Sequence, residues 1–318
     1  MKLLYKSLIA VTLIGLSIFA VLKIQKKSHG LKIGIIQIVE HESLDKARDG
    51  FIDEMKNLGY NDADFDIQIA GGDISNLNSI AHKFVNDKKD LILAVSTPAA
   101  QSMSNATKDI PILGTAITDY KIAGLVDSNE TPGRNVSGTS DLGPVEKQIK
   151  LLKELVPNCK KIGILYSSGE ANSKLQADLA HEECKKWGLT SKDITVSNSN
   201  EVQSVLECNS SDIDALYLPT DNLVASCIPI VSKISLDKKI PVVSWDADIV
   251  KKGALGYYTM NYYDLGKLTA RQADKVLKKE VKIENMPIEY QKNVNLVINE
   301  EVAKQLGINI PDELKGGL

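Results

Sequence analysis

The chain contains 318 residues, which is enough for two domains of ordinary size. Hydrophobic residues make up 43% and charged residues 25%, a composition that is typical of globular proteins and excludes disorder of the whole chain. The formal net charge is −3, from 38 basic and 41 acidic side chains, and no long block of like charges occurs. This balance argues against nucleic acid as a partner.

Signatures of metal, redox and catalytic sites are missing from the sequence. The cysteines lie about twenty residues apart without a CxxC pair, which argues against zinc-ribbon and thioredoxin chemistry; they are Cys159, Cys184, Cys208 and Cys227. The scattered histidines are more readily explained as polar surface groups than as bases; they are His29, His41, His82 and His181. No GxGxxG, GxxxxGK[ST], GxSxG or HExxH motif occurs. We therefore expect no catalytic residues, no metal and no cofactor.

One apolar segment near the N-terminus indicates export or membrane attachment. Ser7–Leu22 contains no charged residue and is flanked by lysines on both sides. As a helix it would be about 24 Å long, which suits either a signal peptide or a minimal anchor. We favour an uncleaved anchor over a removed signal, and in both cases an extracytoplasmic location at the cell membrane.

The remaining chain alternates short β-branched runs with amphipathic segments. Lys32–Ile38 is a continuous apolar run, as expected for a strand that is covered on both faces. The following segment has helical spacing and ends at Gly59. Val145–Leu155 and Asp264–Lys279 are also predicted to be helices. Steady alternation of this kind predicts an α/β protein with doubly wound parallel sheets.

The second half of this body repeats the first. The segment Lys32–Ile36 recurs as Lys161–Leu165, and Gly59 recurs at the same offset as Gly188. We therefore predict two similar Rossmann-like lobes joined by a hinge of several strands. Crossings between the lobes are expected in three segments, Thr131–Pro144, Tyr257–Tyr263 and Asn285–Lys292. The predicted division is 1–30 for the signal or anchor and linker, 31–142 with about 261–288 for lobe 1, and 143–260 with about 289–318 for lobe 2.

Polar side chains are concentrated where the predicted strands end. Ligands of open parallel sheets bind at the carboxyl ends of the strands, and two lobes can present these ends to each other across a cleft. Hydroxyl groups and helix amides near Ser96 would suit a carboxylate, and aspartates would suit an ammonium group. The predicted ligand contacts are Gln37, Ser96, Thr97, Ala99, Thr118, Asp119, Asn172, Ser173, Thr220, Asp221 and Asp246. For each aspartate, helix capping or a turn is an equally good explanation.

These segments resemble the substrate-binding proteins of bacterial ABC transporters, in particular those associated with tryptophan and tyrosine uptake. The resemblance rests on Ile33–His41, Ser96–Gln101, Gly169–Ser173, Pro219–Asn222 and Asn261–Gly266. It implies a type I periplasmic-binding-protein architecture that closes on its ligand and docks onto a permease. It also implies ligand contacts for Ser96, Thr97, Asn172, Ser173, Thr220, Asp221 and Asp246.

The predicted function is capture of a small zwitterion, with aromatic amino acids favoured, for an ABC permease and its ATPase. The alternative is a membrane-anchored sensory domain that signals through a partner protein, and a third possibility is an α/β hydrolase or transferase. The chain departs from the resemblance in its attachment to the membrane. No cysteine precedes Cys159, so a lipid-modified cysteine after the apolar segment is excluded.

Overall fold

The computed structural model describes residues 30–246, 249, 251–291 and 294–317. The predicted anchor Ser7–Leu22 lies outside these ranges. Within them, no helix has both the length and the apolar character needed to span a membrane.

Two six-stranded sheets organise the described chain. The strands are β1 (Lys32–Gln37), β2 (Asp64–Ile69), β3 (Leu91–Val95), β4 (Ile112–Ile117), β5 (Val136–Ser140), β6 (Lys161–Ser167), β7 (Thr190–Val196), β8 (Ala215–Tyr217), β9 (Val242–Ser244), β10 (Gly256–Thr259), β11 (Glu289–Tyr290) and β12 (Asn295–Ile298). The first sheet has the order β11-β5-β4-β3-β1-β2 and the second β12-β10-β9-β8-β6-β7. The two orders are equivalent strand by strand, which confirms the predicted pair of similar α/β lobes.

Helices cover both faces of each sheet. They are α1 (Glu42–Asn57), α2 (Ile74–Asn86), α3 (Thr97–Ala106), α4 (Val145–Leu155), α5 (Ala171–Lys186), α6 (Val202–Asn209), α7 (Asn222–Ser226), α8 (Ile228–Asp237), α9 (Tyr262–Leu277) and α10 (Glu300–Leu306). In the first lobe α1 packs on α9 and α2 on α3, and in the second α4 packs on α5 and α6 on α8. Because both faces are covered, an interior strand can be apolar along its whole length, as β3 is, with five buried residues out of five.

The chain crosses between the lobes three times. The first crossing follows β5, the second joins β10 to α9, and the third joins β11 to β12. Strand pairing is parallel in both sheets except at β12, which runs antiparallel to β10 at the edge. The short strand β11 pairs with β5 of the first sheet, so the sheet continues slightly beyond residue 288. The exact lobe boundaries remain a prediction.

Strand β5 differs from the prediction of turns over Thr131–Pro144. Its five residues, Val-Ser-Gly-Thr-Ser, are all buried. Burial is possible because its hydroxyl groups are hydrogen-bonded: Ser137 Oγ donates to the Met286 carbonyl at 2.7 Å, and Ser140 Oγ donates to the Thr118 carbonyl at 2.7 Å. A Cβ at Gly138 would lie 2.1 Å from the Gly114 carbonyl oxygen, so this position needs glycine. Tertiary partners therefore override the local turn-forming tendency.

Candidate functional site

A cavity of about 260 Å³ lies between the lobes, beside the crossings. We call it the inner cavity; its lining residues are His41, Leu44, Ala116, Asp141, Asn172, Thr220, Asp221, Asn222, Trp245 and Tyr262. These residues follow or end strands of both sheets, as expected for ligand sites of open parallel sheets. The described lining contains acidic, amide and aromatic side chains and neither lysine nor arginine.

Asp141 provides a buried carboxylate at the hinge side of the inner cavity. It follows β5 directly and is 3% exposed. Tyr262, the first residue of α9, donates its hydroxyl to Asp141 Oδ2 at 3.0 Å, and Thr118 Oγ1 donates to Oδ1 at 3.1 Å. Burial raises the pKa of Asp141 to about 6, although these two hydrogen bonds oppose the shift. Each carboxylate oxygen keeps capacity for a further donor, so Asp141 can accept from an ammonium group.

Two further carboxylates are buried in the wall formed by the second lobe. Glu170 accepts from the backbone N–H groups of Asn222 and Leu223 at 3.1 Å each, and Asp221 accepts from those of Ser167 at 2.6 Å and Val224 at 2.8 Å. Burial, and then the neighbouring Asp221 charge, raise the pKa of Glu170 to about 8. Burial also raises the pKa of Asp221. Burial and mutual repulsion thus both favour the retention of a proton by this pair.

Asn172 and Thr220 form the adjoining part of this wall. Asn172 Nδ2 donates to the Thr220 carbonyl at 2.8 Å, and Ser173 Oγ donates to the same carbonyl at 3.0 Å. Thr220 Oγ1 donates to Gln176 Oε1 at 3.2 Å. Because carbonyl oxygens only accept, the bond from Nδ2 fixes the orientation of the Asn172 amide. Its Oδ1 is buried and has no partner among the residues that the structure describes.

Hydrogen bonds connect the two lobes on both sides of the inner cavity. Gln176 Nε2, in the second lobe, donates to Thr118 Oγ1, in the first, at 3.4 Å. Ser43 Oγ, at the start of α1, donates to Asp246 Oδ2, just after β9, at 2.8 Å. Both bonds are buried and cross the cleft, so they require the lobes to be close together.

Ser96 has an unusual backbone conformation at the end of β3. Its φ of 97° is in a region that residues other than glycine rarely adopt, and it immediately precedes α3. Its hydroxyl is buried and has no partner within the described ranges. Its backbone N–H donates to the Thr115 carbonyl at 3.1 Å, which places Ser96 beside the strand that carries Ala116 of the cavity. Strain of this kind is typical of binding sites.

The predicted contacts occupy different positions relative to the inner cavity. Those that line it are Asn172, Thr220 and Asp221, and those bonded to a lining residue are Thr118 and Ser173. Thr97 and Ala99 are buried in the first turn of α3. Asp246 is bonded to Ser43. Gln37 donates to Asp45 Oδ1 and to the Val39 carbonyl at 2.8 Å each, which fixes the loop that carries His41.

Asp119 lies on another contact network. Its Oδ1 accepts from the Ile122 N–H at 2.8 Å, and Asn129 Nδ2 donates to its Oδ2 at 3.4 Å. Asn129 also donates to the hydroxyl of Tyr290 on β11. Asp119 is absent from the described lining of the inner cavity, and its observed contacts are those of a residue that shapes a turn.

Sequence reasoning missed Asp141, Glu170 and His41 as parts of the site. Asp141 and Glu170 lie in turn-rich segments directly after strands, so the rule that pointed to Asp221 applies to them too. His41 follows β1, and the sequence favours a polar surface group at this position, yet its imidazole Nε2 is buried beside the inner cavity. No group of three or more metal-ligating side chains occurs among the residues described.

A second, larger cavity of about 770 Å³ continues the cleft away from the crossings. It shares Asn222 with the inner cavity and is also lined by Ile38 and Pro98 of the first lobe and by Gly169 and Leu223 of the second. The cleft therefore consists of a small inner compartment and a wider outer one.

Comparison with known proteins identifies the family. The family model described as ABC transporter substrate binding protein matches residues 32–316. A curated relative, the tyrosine-binding protein of Clostridioides difficile (strain R20291), is 45% identical over 277 residues, which cover 86% of this chain and 80% of that protein.

Solved structures agree with this match. An ABC domain from Streptococcus pneumonia in complex with L-Trp has a TM-score of 0.88 at 36% identity and covers 91% of this chain and 98% of that one. The ligand-free, open structure of a substrate-binding protein with adhesive properties from Clostridium difficile has a TM-score of 0.67 at 45% identity and covers 88% of this chain and 96% of that one. The chain belongs to the ABC transporter substrate-binding protein family.

Proposed function

We propose that this protein is the extracytoplasmic receptor of an ABC importer and binds an amino acid, with aromatic ones favoured, in the inner cavity. The observation that carries the proposal is the inner cavity itself, in which buried carboxylates and aromatic rings from both lobes surround one small space. Acidic groups without a basic counterpart in the described lining suit the ammonium end of a zwitterion. The tyrosine-binding relative and the L-Trp-bound structure support an aromatic side chain.

The ammonium group is assigned to Asp141 and to Asn172 Oδ1. Both line the inner cavity, and both can accept a further hydrogen bond. The ligand carboxylate is assigned to the Ser96 hydroxyl, with Thr97 and the first amides of α3 beside it. The orphan hydroxyl of Ser96 and the positive end of the helix dipole support this assignment. Trp245 and Tyr262 are available to pack against the ligand.

Ligand capture is proposed to proceed by closure of the two lobes about the three crossings. The TM-score is higher with the L-Trp-bound domain, 0.88, than with the open ligand-free protein, 0.67, although the open protein has the greater identity. If sequence divergence determined the TM-scores, the open protein would have the higher score. The difference between the two scores is better explained by the relative position of the lobes. The bonds from Ser43 to Asp246 and from Gln176 to Thr118 would stabilise this closed arrangement.

Delivery of the ligand would require a permease and its ATPase, as for other importers of this class. Substrate-binding proteins of ABC transporters are extracytoplasmic transport components rather than enzymes. We propose that Ser7–Leu22 attaches this receptor to the membrane or directs its export.

Isothermal titration calorimetry of the purified protein against the twenty amino acids tests the proposed ligand class. We expect tyrosine or tryptophan to bind with a dissociation constant well below 1 mM, and a hexose, as control, to release no heat. Failure of every amino acid to bind more tightly than about 1 mM, which corresponds to roughly −4 kcal/mol, would refute the amino-acid assignment.

Ser43→Ala should weaken binding of every amino acid ligand by the same factor, about 5- to 30-fold, because it removes a buried bond that exists only when the lobes are closed. Asp246→Ala should weaken binding at least as much, because it removes the same bond and also the one that Asp246 accepts from the Ile249 N–H at 3.4 Å. Ser43→Ala should unfold at nearly the wild-type temperature in the absence of ligand. Fluorescence titrations and thermal scans would measure these effects. A much larger loss for Asp246→Ala than for Ser43→Ala would instead indicate that Asp246 contacts the ligand directly.

A further inference from the structure

His41 connects the first strand of the first lobe to the inner cavity. It follows β1 and directly precedes α1, where its extended backbone occupies the N-cap position without a capping bond from its side chain. The imidazole faces the cavity beside Leu44 of the same lobe and Asn222 of the other. Its Nε2 is buried and has no hydrogen-bond partner among the described residues. A buried polar atom of this kind is costly unless a ligand or water satisfies it.

The imidazole is neutral at physiological pH. Burial lowers the pKa of His41 to about 4, and a contact with the Asn222 side chain and the charge of Asp45 offset this effect only in part. A neutral imidazole has one donor nitrogen and one acceptor nitrogen, and it carries no charge to attract a carboxylate. The free Nε2 is therefore suited to an uncharged polar group.

The acceptors for the ligand's ammonium group lie elsewhere in the inner cavity. Asp141 is at the hinge side, held by Tyr262 and Thr118. Asn172 Oδ1 is oriented by the bond from Nδ2 to the Thr220 carbonyl. His41 instead lies next to Asn222, which is the residue shared with the outer cavity. An amino acid anchored at Asp141 therefore leaves His41 available to its side chain.

We propose that His41 determines ligand specificity by hydrogen-bonding the polar atom of the ligand's aromatic ring, the phenol O–H of tyrosine or the indole N–H of tryptophan. This inference depends on the proposed function. A ring without a polar atom, as in phenylalanine, would leave Nε2 unpaired. Sites that form such a bond reject analogues lacking the polar group far more strongly than purely apolar sites do.

The test compares wild-type protein with His41→Phe, which replaces imidazole by an apolar ring. Dissociation constants are measured calorimetrically for tyrosine, tryptophan and phenylalanine. We expect the wild-type protein to bind tyrosine or tryptophan at least about 10-fold more tightly than phenylalanine, the effect of one hydrogen bond. In His41→Phe this preference should fall below about 3-fold, while phenylalanine binds as well as before. His41→Gln, which keeps a hydrogen-bonding group, should retain part of the preference.

The control is His82→Phe, because His82 is exposed on α2 and this change should leave all three affinities unaltered. Binding of phenylalanine by His41→Phe would show that this variant is folded. If His41→Phe does not fold, the affinities for the three amino acids are compared between the wild-type protein and His41→Gln. Equal losses for the three ligands would overturn the inference, as would an unchanged preference. If wild-type protein binds the three amino acids equally, only this inference fails; if it binds none, the proposed function fails with it.

Discussion

Asp141→Asn is expected to weaken amino-acid binding at least 100-fold, which corresponds to about 2.8 kcal/mol. Asp141 is the buried carboxylate at the hinge side of the inner cavity, and its two observed donors, Tyr262 and Thr118, are uncharged hydroxyls. A ligand ammonium would supply the positive charge that the described surroundings lack. Asparagine preserves the shape and can accept the Tyr262 bond, so the variant removes charge with little disturbance of packing.

The same variant should stabilise the protein when no ligand is present. The pKa of Asp141 is about 6 in the folded chain, above the ordinary aspartate value of 3.8. The folded state therefore favours the protonated form, and this contribution to stability is present below pH 4 and is lost as the pH rises through 6. At pH 7.5 the buried charge destabilises the unliganded protein by up to about 3 kcal/mol. Asp141→Asn removes that charge and should raise the midpoint of urea unfolding.

The pH dependence of binding follows from the same group. Ligand affinity should decrease as the pH falls through about 6, because protonated Asp141 cannot form an ion pair. In Asp141→Asn this decrease should be absent. Asp127→Asn serves as control, because Asp127 is 61% exposed and pairs with Arg134 on the surface. Tight binding by Asp141→Asn would contradict the assignment of Asp141 to the ammonium group. A variant that is less stable without ligand and still binds normally would contradict it too.

Gly266→Ala is expected to destabilise the protein by at least about 3 kcal/mol, at the upper end of the range for atoms inserted into packed cores. A Cβ at Gly266 of α9 would lie 1.9 Å from the Ala47 carbonyl oxygen of α1. At the same interface a Cβ at Gly50 would lie 2.0 Å from the Tyr263 carbonyl oxygen. Both obstacles are backbone atoms, so α1 and α9 would have to separate. Alanine normally stabilises a helix by about 1 kcal/mol relative to glycine. Helix propensity alone would therefore predict a gain in stability, whereas we expect a loss.

Urea unfolding of Gly266→Ala and Gly50→Ala would measure this effect, with Gly169→Ala as a matched control. A Cβ at Gly169 would lie 3.8 Å from Ser167 Oγ, an ordinary contact, and should change stability little. Wild-type stability for both helix variants would mean that the two helices pack less closely than described.

The fold was predictable because its signal is local and repeated. In the repeated segments Lys32–Ile36 and Lys161–Leu165, every residue except the first lysine is buried in equivalent strands inside the two sheets, and buried strands of this kind are apolar. The helix Val145–Leu155 has the predicted bounds, since its apolar face follows the helical period. Strand β5 was not predictable, because Val-Ser-Gly-Thr-Ser has no apolar pattern. Its burial depends on acceptors for its hydroxyl groups, and one of these acceptors is the carbonyl of Met286, which is distant in sequence.

The site was predictable to the extent that strand ends indicate it. Asn172, Thr220 and Asp221 follow strands of the second lobe and line the inner cavity. Asp141 also follows a strand, but its desolvation and its bond to Tyr262 involve residues 121 positions apart. The unpaired nitrogen of His41 likewise depends on Asn222 of the other lobe. No local pattern contains such information, because the environment exists only after the lobes meet.

The return of the chain to the first lobe has a consequence for protein synthesis. α9 packs on α1, and β11 completes the first sheet, only after most of the second lobe has been made. A nascent chain that ends before Tyr262 lacks the helix that covers the apolar face of α1. We therefore expect the N-terminal lobe to stay incomplete during translation, to depend on long-range contacts that form slowly, and to need chaperone protection until the last crossing is synthesised.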